Sequence, residues 1–94
     1  IDLRVLNPLD TSIIINSVKK TNRLIVVDNG WRNCGISSEI LASTIENIDP
    51  KLLKSSPIRI TLPDCPAPTS EKLEKIYYVN KNSVVDNVIK ILKI

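Results

Sequence analysis

The amino-acid sequence predicts an α/β fold, a three-layer α/β/α sandwich around a mostly parallel sheet. Three observations carry this. Leu24-Ile25-Val26-Val27 is an apolar run too short for a helix and without the polar alternation of a strand that has one wet face, so it reads as a strand buried on both sides. Ile36 to Ile48 places Ile36, Ile40, Leu41, Ile45 and Ile48 on one stripe, with Ser37, Ser38, Glu39, Thr44 and Glu46 elsewhere, the spacing of an amphipathic helix. Strand-like and helix-like segments alternate along the chain, as parallel strands joined by right-handed crossovers require.

Taken in order, Leu3 to Leu6 reads as a short strand that Asn7-Pro8 closes, because Pro8 lacks a backbone donor and biases Asn7 away from helix. Asp10 is a good N-cap for a helix over Thr11 to Lys20, whose Lys19-Lys20 suit the negative end of the helix dipole. The strand Arg23 to Asp28, the loop Asn29 to Gly35 and the helix from Ile36 follow, and Asp49-Pro50 ends that helix. Ile58 to Leu62 alternates apolar and polar residues, as a strand near the sheet's edge does, and Pro63 terminates it. Thr69 or Ser70 caps a short helix through Ile76, with Tyr77 and Tyr78 packing it onto the sheet. Ser83-Val84-Val85-Asp86 fits a capping box that opens a last helix burying Val84, Val85, Val88, Ile89 and Leu92. The three strands are expected to be mutually parallel, and Leu24 to Val27 the most buried segment.

Composition narrows the chemistry. The chain has 94 residues, 43% hydrophobic and 24% charged, which suits a compact domain whose stability margin is thin unless it packs on a partner. The core has to be Ile, Leu and Val, since there is no Phe, no Met and a single Trp. The formal charge of +3 comes from scattered Lys and Arg without the basic stripe or aromatic interleaving of a nucleic-acid site, and no apolar run approaches the ~20 residues of a bilayer span. Neither nucleic acid nor membrane is therefore an expected partner. Ile1 is not a starter methionine, so a processed product or a piece of a longer polypeptide is expected. The absence of His excludes a Ser-His-Asp triad, a Cys-His pair and a His-based zinc site, and two Cys cannot complete a four-ligand zinc site. Cys34 and Cys65 read as free thiols, with a disulfide as the alternative.

In an open parallel sheet, ligands and partners gather at the carboxyl ends of the strands, here the loops Asn7 to Asp10, Asp28 to Gly35 and Pro63 to Thr69. Asp10, Asp28, Trp31, Arg32, Asp64 and both cysteines should lie along that edge. Asp28 to Gly35 is the most individual stretch. Its two glycines flank the only Trp, but they do not form a phosphate-cradle pattern, and an aromatic at a loop tip more often anchors an interface than touches a substrate. Asp28 and Asp64 read as solvated caps rather than an acid-base pair. Glu71-Lys72-Leu73-Glu74-Lys75 reads as a solvated helix face with Glu71 and Lys75 paired at i,i+4. No catalytic, cofactor-binding or metal-ligating residue is assigned. The interface candidates are Trp31, Arg32 and Asp64.

Beyond these readings, the ordered motifs resemble a known family. Asp2-Leu3-Arg4, Pro8-Leu9-Asp10, Ser17 to Thr21 and Arg23 to Asp28 before Gly30-Trp31 are similar to the C-terminal domain shared by transketolases and their relatives. Cys34-Gly35 through Glu39-Ile40, Pro57-Ile58-Arg59, Pro63-Asp64, Pro66, Pro68 and Leu73-Glu74-Lys75 with Tyr77 continue the match, most closely to the beta subunit of thiamine-dependent 2-oxo acid dehydrogenases. The resemblance implies one transketolase C-terminal-like domain over residues 1 to 94, incomplete because the family's first strand and helix are missing. It implies that thiamine diphosphate and magnesium are bound by other domains of the parent enzyme and not by this chain. The implied partners are those remaining domains, an alpha subunit within an oligomer, and the peripheral-subunit-binding domain of the acyltransferase core. The last of these would dock near the C-terminus at Lys93 and Ile94. The implied location is cytoplasmic or the mitochondrial matrix.

Two other classes of function compete with an assembly and docking domain. A free-standing α/β module could bind a small anion or regulatory ligand at the strand-end loops. An enzyme using Cys34 as nucleophile would need a general base that the sequence does not supply at recognisable spacing.

Overall fold

The computed structural model describes residues 1–93. Its elements run α1 (Ser12–Thr21), β1 (Ile25–Trp31), α2 (Ile36–Glu46), a 3-10 turn (Pro50–Leu52), β2 (Ile58–Leu62), α3 (Glu71–Tyr77) and α4 (Lys81–Leu92). β1 and β2 are parallel, pairing Ile25 with Ile58, Val26 with Arg59 and Val27 with Ile60, and an irregularity then carries the register to Trp31 with Leu62. This is the expected α/β architecture on a smaller sheet.

Thr11, one residue after the expected Asp10, is the N-cap of α1, and Asp10 supports the first turn from just outside it, its Oδ1 accepting the Ser12 N–H at 3.0 Å. Asn22 ends it in the left-handed region at φ 60, donating its N–H to the Val18 carbonyl at 2.7 Å, a role that Asn fills more readily than other non-Gly residues. Ile14 and Val18 of α1, Leu24 just before β1, Val26 in it, Ile40 of α2 and Ile48 form the core on one face of the sheet. Successive residues of a strand point to opposite faces. Ile60 and Leu62, in register with Val27 and Trp31, therefore belong to the other face, where α4 packs on β2. Helices thus cover both faces.

Three expectations about the elements are corrected. Leu3 to Leu6 is not a strand: Arg4 sits at φ 55, in the left-handed region, and its N–H turns back to Asp2 Oδ1 at 3.2 Å. A groove of about 550 Å³ separates this segment from the edge of β1, with Leu3 and Leu6 on one side and Leu24 to Asp28 on the other. A segment that turns back on itself has no ladder to join, so two of the three expected strands form among the described residues, and they pair in parallel.

Leu24 to Val27 is not buried on both faces or the most buried segment. Leu24 and Val26 are buried but Val27 is 49% exposed, because α4 covers β2 without reaching over β1. The most enclosed side chains are Ser37 and Thr44 of α2, both on the helix face turned to the sheet with Ile40. Thr44 satisfies its hydroxyl on the Ile40 carbonyl at 2.7 Å. Of the aliphatic stripe read from the sequence, Ile40 and Ile48 are buried in the core, and Ile36, Leu41 and Ile45 pack against it more loosely.

The last helix opens three residues earlier than the expected capping box. Asn80 is the cap, its Oδ1 accepting the Ser83 N–H at 2.9 Å while the Ser83 hydroxyl donates to the Asn80 carbonyl. Of its apolar residues only Ile91 is buried, and Val85, Val88, Ile89 and Leu92 are exposed. Periodicity identifies an apolar stripe but not the neighbour that covers it.

Candidate functional site

β1 runs three residues past the expected end at Asp28, so Asp28 lies inside the strand and Trp31 is its last residue. Asp28 Oδ1 accepts the Gly30 N–H at 3.0 Å, which closes the strand's irregular stretch locally. The turn into α2 then depends on Gly35. A Cβ there would overlap the Trp31 carbonyl oxygen, so the glycine permits a close approach of two backbone segments. Neither glycine uses a positive φ; Cys34 takes the left-handed conformation instead, at φ 57.

Beyond this turn the ends of the two strands are tied together. The Arg32 N–H donates to the Leu62 carbonyl at 3.2 Å, extending the ladder by one bond. Arg32 and Arg59 then exchange side chain for backbone: Arg32 Nη1 donates to the Arg59 carbonyl at 3.2 Å, and Arg59 Nη1 donates to the Arg32 carbonyl at 2.9 Å and to Ser38 Oγ at 2.8 Å. Asn33 Nδ2 donates to Asp64 Oδ2 at 2.9 Å. On the other face, Trp31 Nε1 donates to the Tyr77 hydroxyl at 3.1 Å, and that hydroxyl donates to the Cys65 carbonyl at 2.9 Å. Tyr77 is buried, whereas Tyr78, edge-on to it with ring centroids 5.0 Å apart, is 43% exposed, so only the first of the two tyrosines packs α3 inward. Trp31 is 52% exposed with its indole N–H already satisfied, leaving a ring face open to a partner.

The structure therefore brings Trp31, Arg32 and Asp64 together at the carboxyl end of the strands. It does not bring Lys93 to them. Arg23 Nε donates to the Ile91 carbonyl at 3.3 Å, and Lys90 and Ile91 lie beside Ser55 to Ile58, so the end of α4 sits where β1 and β2 begin. The length of a seven-residue strand, about 20 Å, separates the two places. Ile94 lies outside the described residues. Sequence reasoning missed Tyr77 as the link between Trp31 and the loop after β2, and Arg59 as the clamp on the α2 turn. The alternation of β2 turns Arg59 away from Ile60 and Leu62, and that signal was available.

Cys34 and Cys65 are exposed free thiols. Glu71 and Lys75 pair at 3.5 Å as the helix spacing predicts, on an open face where such a pair adds little. Among the described residues no three His, Cys, Asp or Glu gather closely enough to hold a metal ion. No helix is long and apolar enough to cross a membrane among them.

A parallel two-stranded sheet with helices on both faces and a hydrogen-bonded strand-end edge defines the class, a small α/β domain. The comparison with known proteins then gives the family: residues 1–84 match the family described as "Transketolase, C-terminal domain", and the chain belongs to it. It is 38% identical over 94 residues, its whole length, to the mitochondrial pyruvate dehydrogenase E1 component subunit beta of Chaetomium thermophilum, of which it covers 24%. It is 39% identical over 92 residues, 97% of the chain, to pyruvate dehydrogenase E1 component subunit beta of Rickettsia felis, covering 28% of that protein. With the mitochondrial subunit of Saccharomyces cerevisiae the identity is 36% over 94 residues, the whole chain and 26% of the relative. The chain spans about a quarter of the length of these relatives.

Proposed function

We propose that the chain serves as the assembly and docking domain of a thiamine-diphosphate-dependent 2-oxo acid dehydrogenase beta subunit and performs no chemistry alone. The observation that supports this most is the pairing of family membership with exposed apolar side chains: Trp31 at one end of the sheet and the outward face of α4. Surfaces of this kind on a small domain favour burial against other chains. In this reading the diphosphate and magnesium belong to other domains of the parent enzyme. An alpha subunit and those domains cover the Trp31, Arg32 and Asp64 edge. Lys93, with Ile94 after it, receives the peripheral-subunit-binding domain of the acyltransferase. The names of two of these relatives include the word mitochondrial, which supports a mitochondrial matrix or a bacterial cytoplasm as the location in this reading.

Trp31 is the only indole and supplies the test. Titration with thiamine diphosphate and magnesium should leave its emission unchanged, whereas addition of the partner alpha subunit should shift it to the blue as the ring is buried. A saturable, magnesium-dependent response to the cofactor alone, confirmed by calorimetry, would overturn the reading in favour of a ligand-binding module.

A further inference from the structure

We propose that Cys34 and Cys65 form a redox pair, which closes to an intramolecular disulfide across the carboxyl ends of β1 and β2 and reopens to two thiols. The inference goes beyond the assembly reading and does not rest on it. Both thiols are free and exposed. Cysteine is among the residues most often buried, and an exposed thiol fills no space in a core, so packing accounts for neither.

The fold sets the two cysteines at the same level of adjacent strands. Trp31 pairs with Leu62 in the parallel register, and the Arg32 N–H donates to the Leu62 carbonyl at 3.2 Å. Cys34 is the third residue after Trp31, and Cys65 is the third after Leu62. One residue before each, Asn33 Nδ2 donates to Asp64 Oδ2 at 2.9 Å, so the two loops are still joined side chain to side chain where the cysteines begin. Neighbouring strands lie about 4.8 Å apart, and a disulfide accepts Cα atoms roughly 4.4–6.8 Å apart. Each loop also turns tightly at its cysteine. Cys34 takes φ 57, and the Cys65 N–H turns back to the Pro63 carbonyl at 2.8 Å, which keeps both residues close to the strand ends.

The exchange takes an oxidant of the small-disulfide class, such as glutathione disulfide. The thiolate of one cysteine attacks it, forming a mixed disulfide and releasing one small thiolate. The thiolate of the other cysteine then attacks the protein sulfur of that mixed disulfide. The bond between Cys34 and Cys65 forms, the mixed bond breaks and the second small thiolate leaves. Two electrons pass from the cysteine sulfurs to the small disulfide, whose two sulfurs take up the two protons. Two small thiols reverse every step, so the bridge is transient wherever thiols are kept reduced. While closed, it fixes the edge on which Trp31 stands, because the Cys65 carbonyl accepts the Tyr77 hydroxyl and that hydroxyl accepts the Trp31 indole N–H. In the assembly reading a partner covers this edge, and the exchange then belongs to the chain before assembly.

Equilibration of the chain in glutathione redox buffers, with acid quenching and mass spectrometry, tests the pair. The expected product has lost two hydrogens, carries no glutathione and gives one cross-linked peptide containing Cys34 and Cys65 after proteolysis, and dithiothreitol returns both thiols. Cys34→Ser and Cys65→Ser should each stop at a mixed disulfide with glutathione. Because the fold brings the two cysteines together, the equilibrium constant for closure should be at least about tenfold larger in the native chain than in concentrated urea. Glutathione on both cysteines of the native chain, a disulfide between two copies, or a closure constant no larger than in urea would overturn the proposal.

Discussion

The Trp31 indole N–H donates to the Tyr77 hydroxyl at 3.1 Å, across 46 residues of sequence, and the same hydroxyl donates to the Cys65 carbonyl at 2.9 Å. One buried side chain thus holds the end of β1, the loop after β2 and the end of α3 in register with each other. The half-exposed Trp31 ring is oriented for a partner because its polar end is fixed.

Tyr77→Phe removes both bonds while keeping the ring. The expected loss is about 1 kcal/mol, since water replaces part of what is lost at this edge. For a chain of this size that lowers the melting temperature by about 4–8 °C. Trp31 emission should move to the red at the same time. A melting curve identical to that of the unaltered chain would show that the relay does not hold the edge together.

Gly35→Ala should be far more costly than its single methyl suggests, because the new Cβ would overlap the Trp31 carbonyl oxygen and only backbone can yield there. We expect a loss of about 2–4 kcal/mol in chemical denaturation. Gly30→Ala should be milder. Its Cβ would meet Asp28 Oδ2 at 2.9 Å, a side-chain atom that can rotate away.

Val26→Ala and Val27→Ala test the one-sided burial of β1. Val26 is 7% exposed and Val27 49%, although they are adjacent in a run that looks uniform in sequence. The first substitution should cost about 2 kcal/mol through lost burial and a cavity, the second less than about 1 kcal/mol. Equal losses in urea denaturation would show that both faces of β1 are covered.

Amide hydrogen exchange should divide β1 by residue parity. The Ile58 N–H donates to the Leu24 carbonyl at 3.1 Å, so in a parallel ladder the amides of Ile25 and Val27 point to the opposite edge, towards the groove beside Leu3. They should exchange at least about tenfold faster than Val26 in this chain. Protection of Ile25 and Val27 in a longer polypeptide carrying this sequence, read by the same experiment, would identify a strand inserted in the groove.

The sequence by itself determined the elements that rest on local signals. Asp10 ahead of an apolar repeat began α1, and Ile36 to Ile48 had the spacing of a helix. The parallel order followed from strands separated by helices, and the ordered motifs from Asp2 to Tyr77 carried the family. Tertiary structure alone decided what covers each apolar stripe. Leu3 to Leu6 has strand-like residues but no strand beside it, and backbone pairing is a property of two segments. Val85, Val88, Ile89 and Leu92 show the same periodicity as a buried face, yet α4 turns Ile91 inward and leaves them open, because hydrophobic burial does not depend on whether the covering surface comes from the same chain. Tyr77 and Arg59 acquire their roles only when loops far apart in sequence meet, since a hydrogen bond needs both partners within about 3 Å and sequence spacing does not fix such distances.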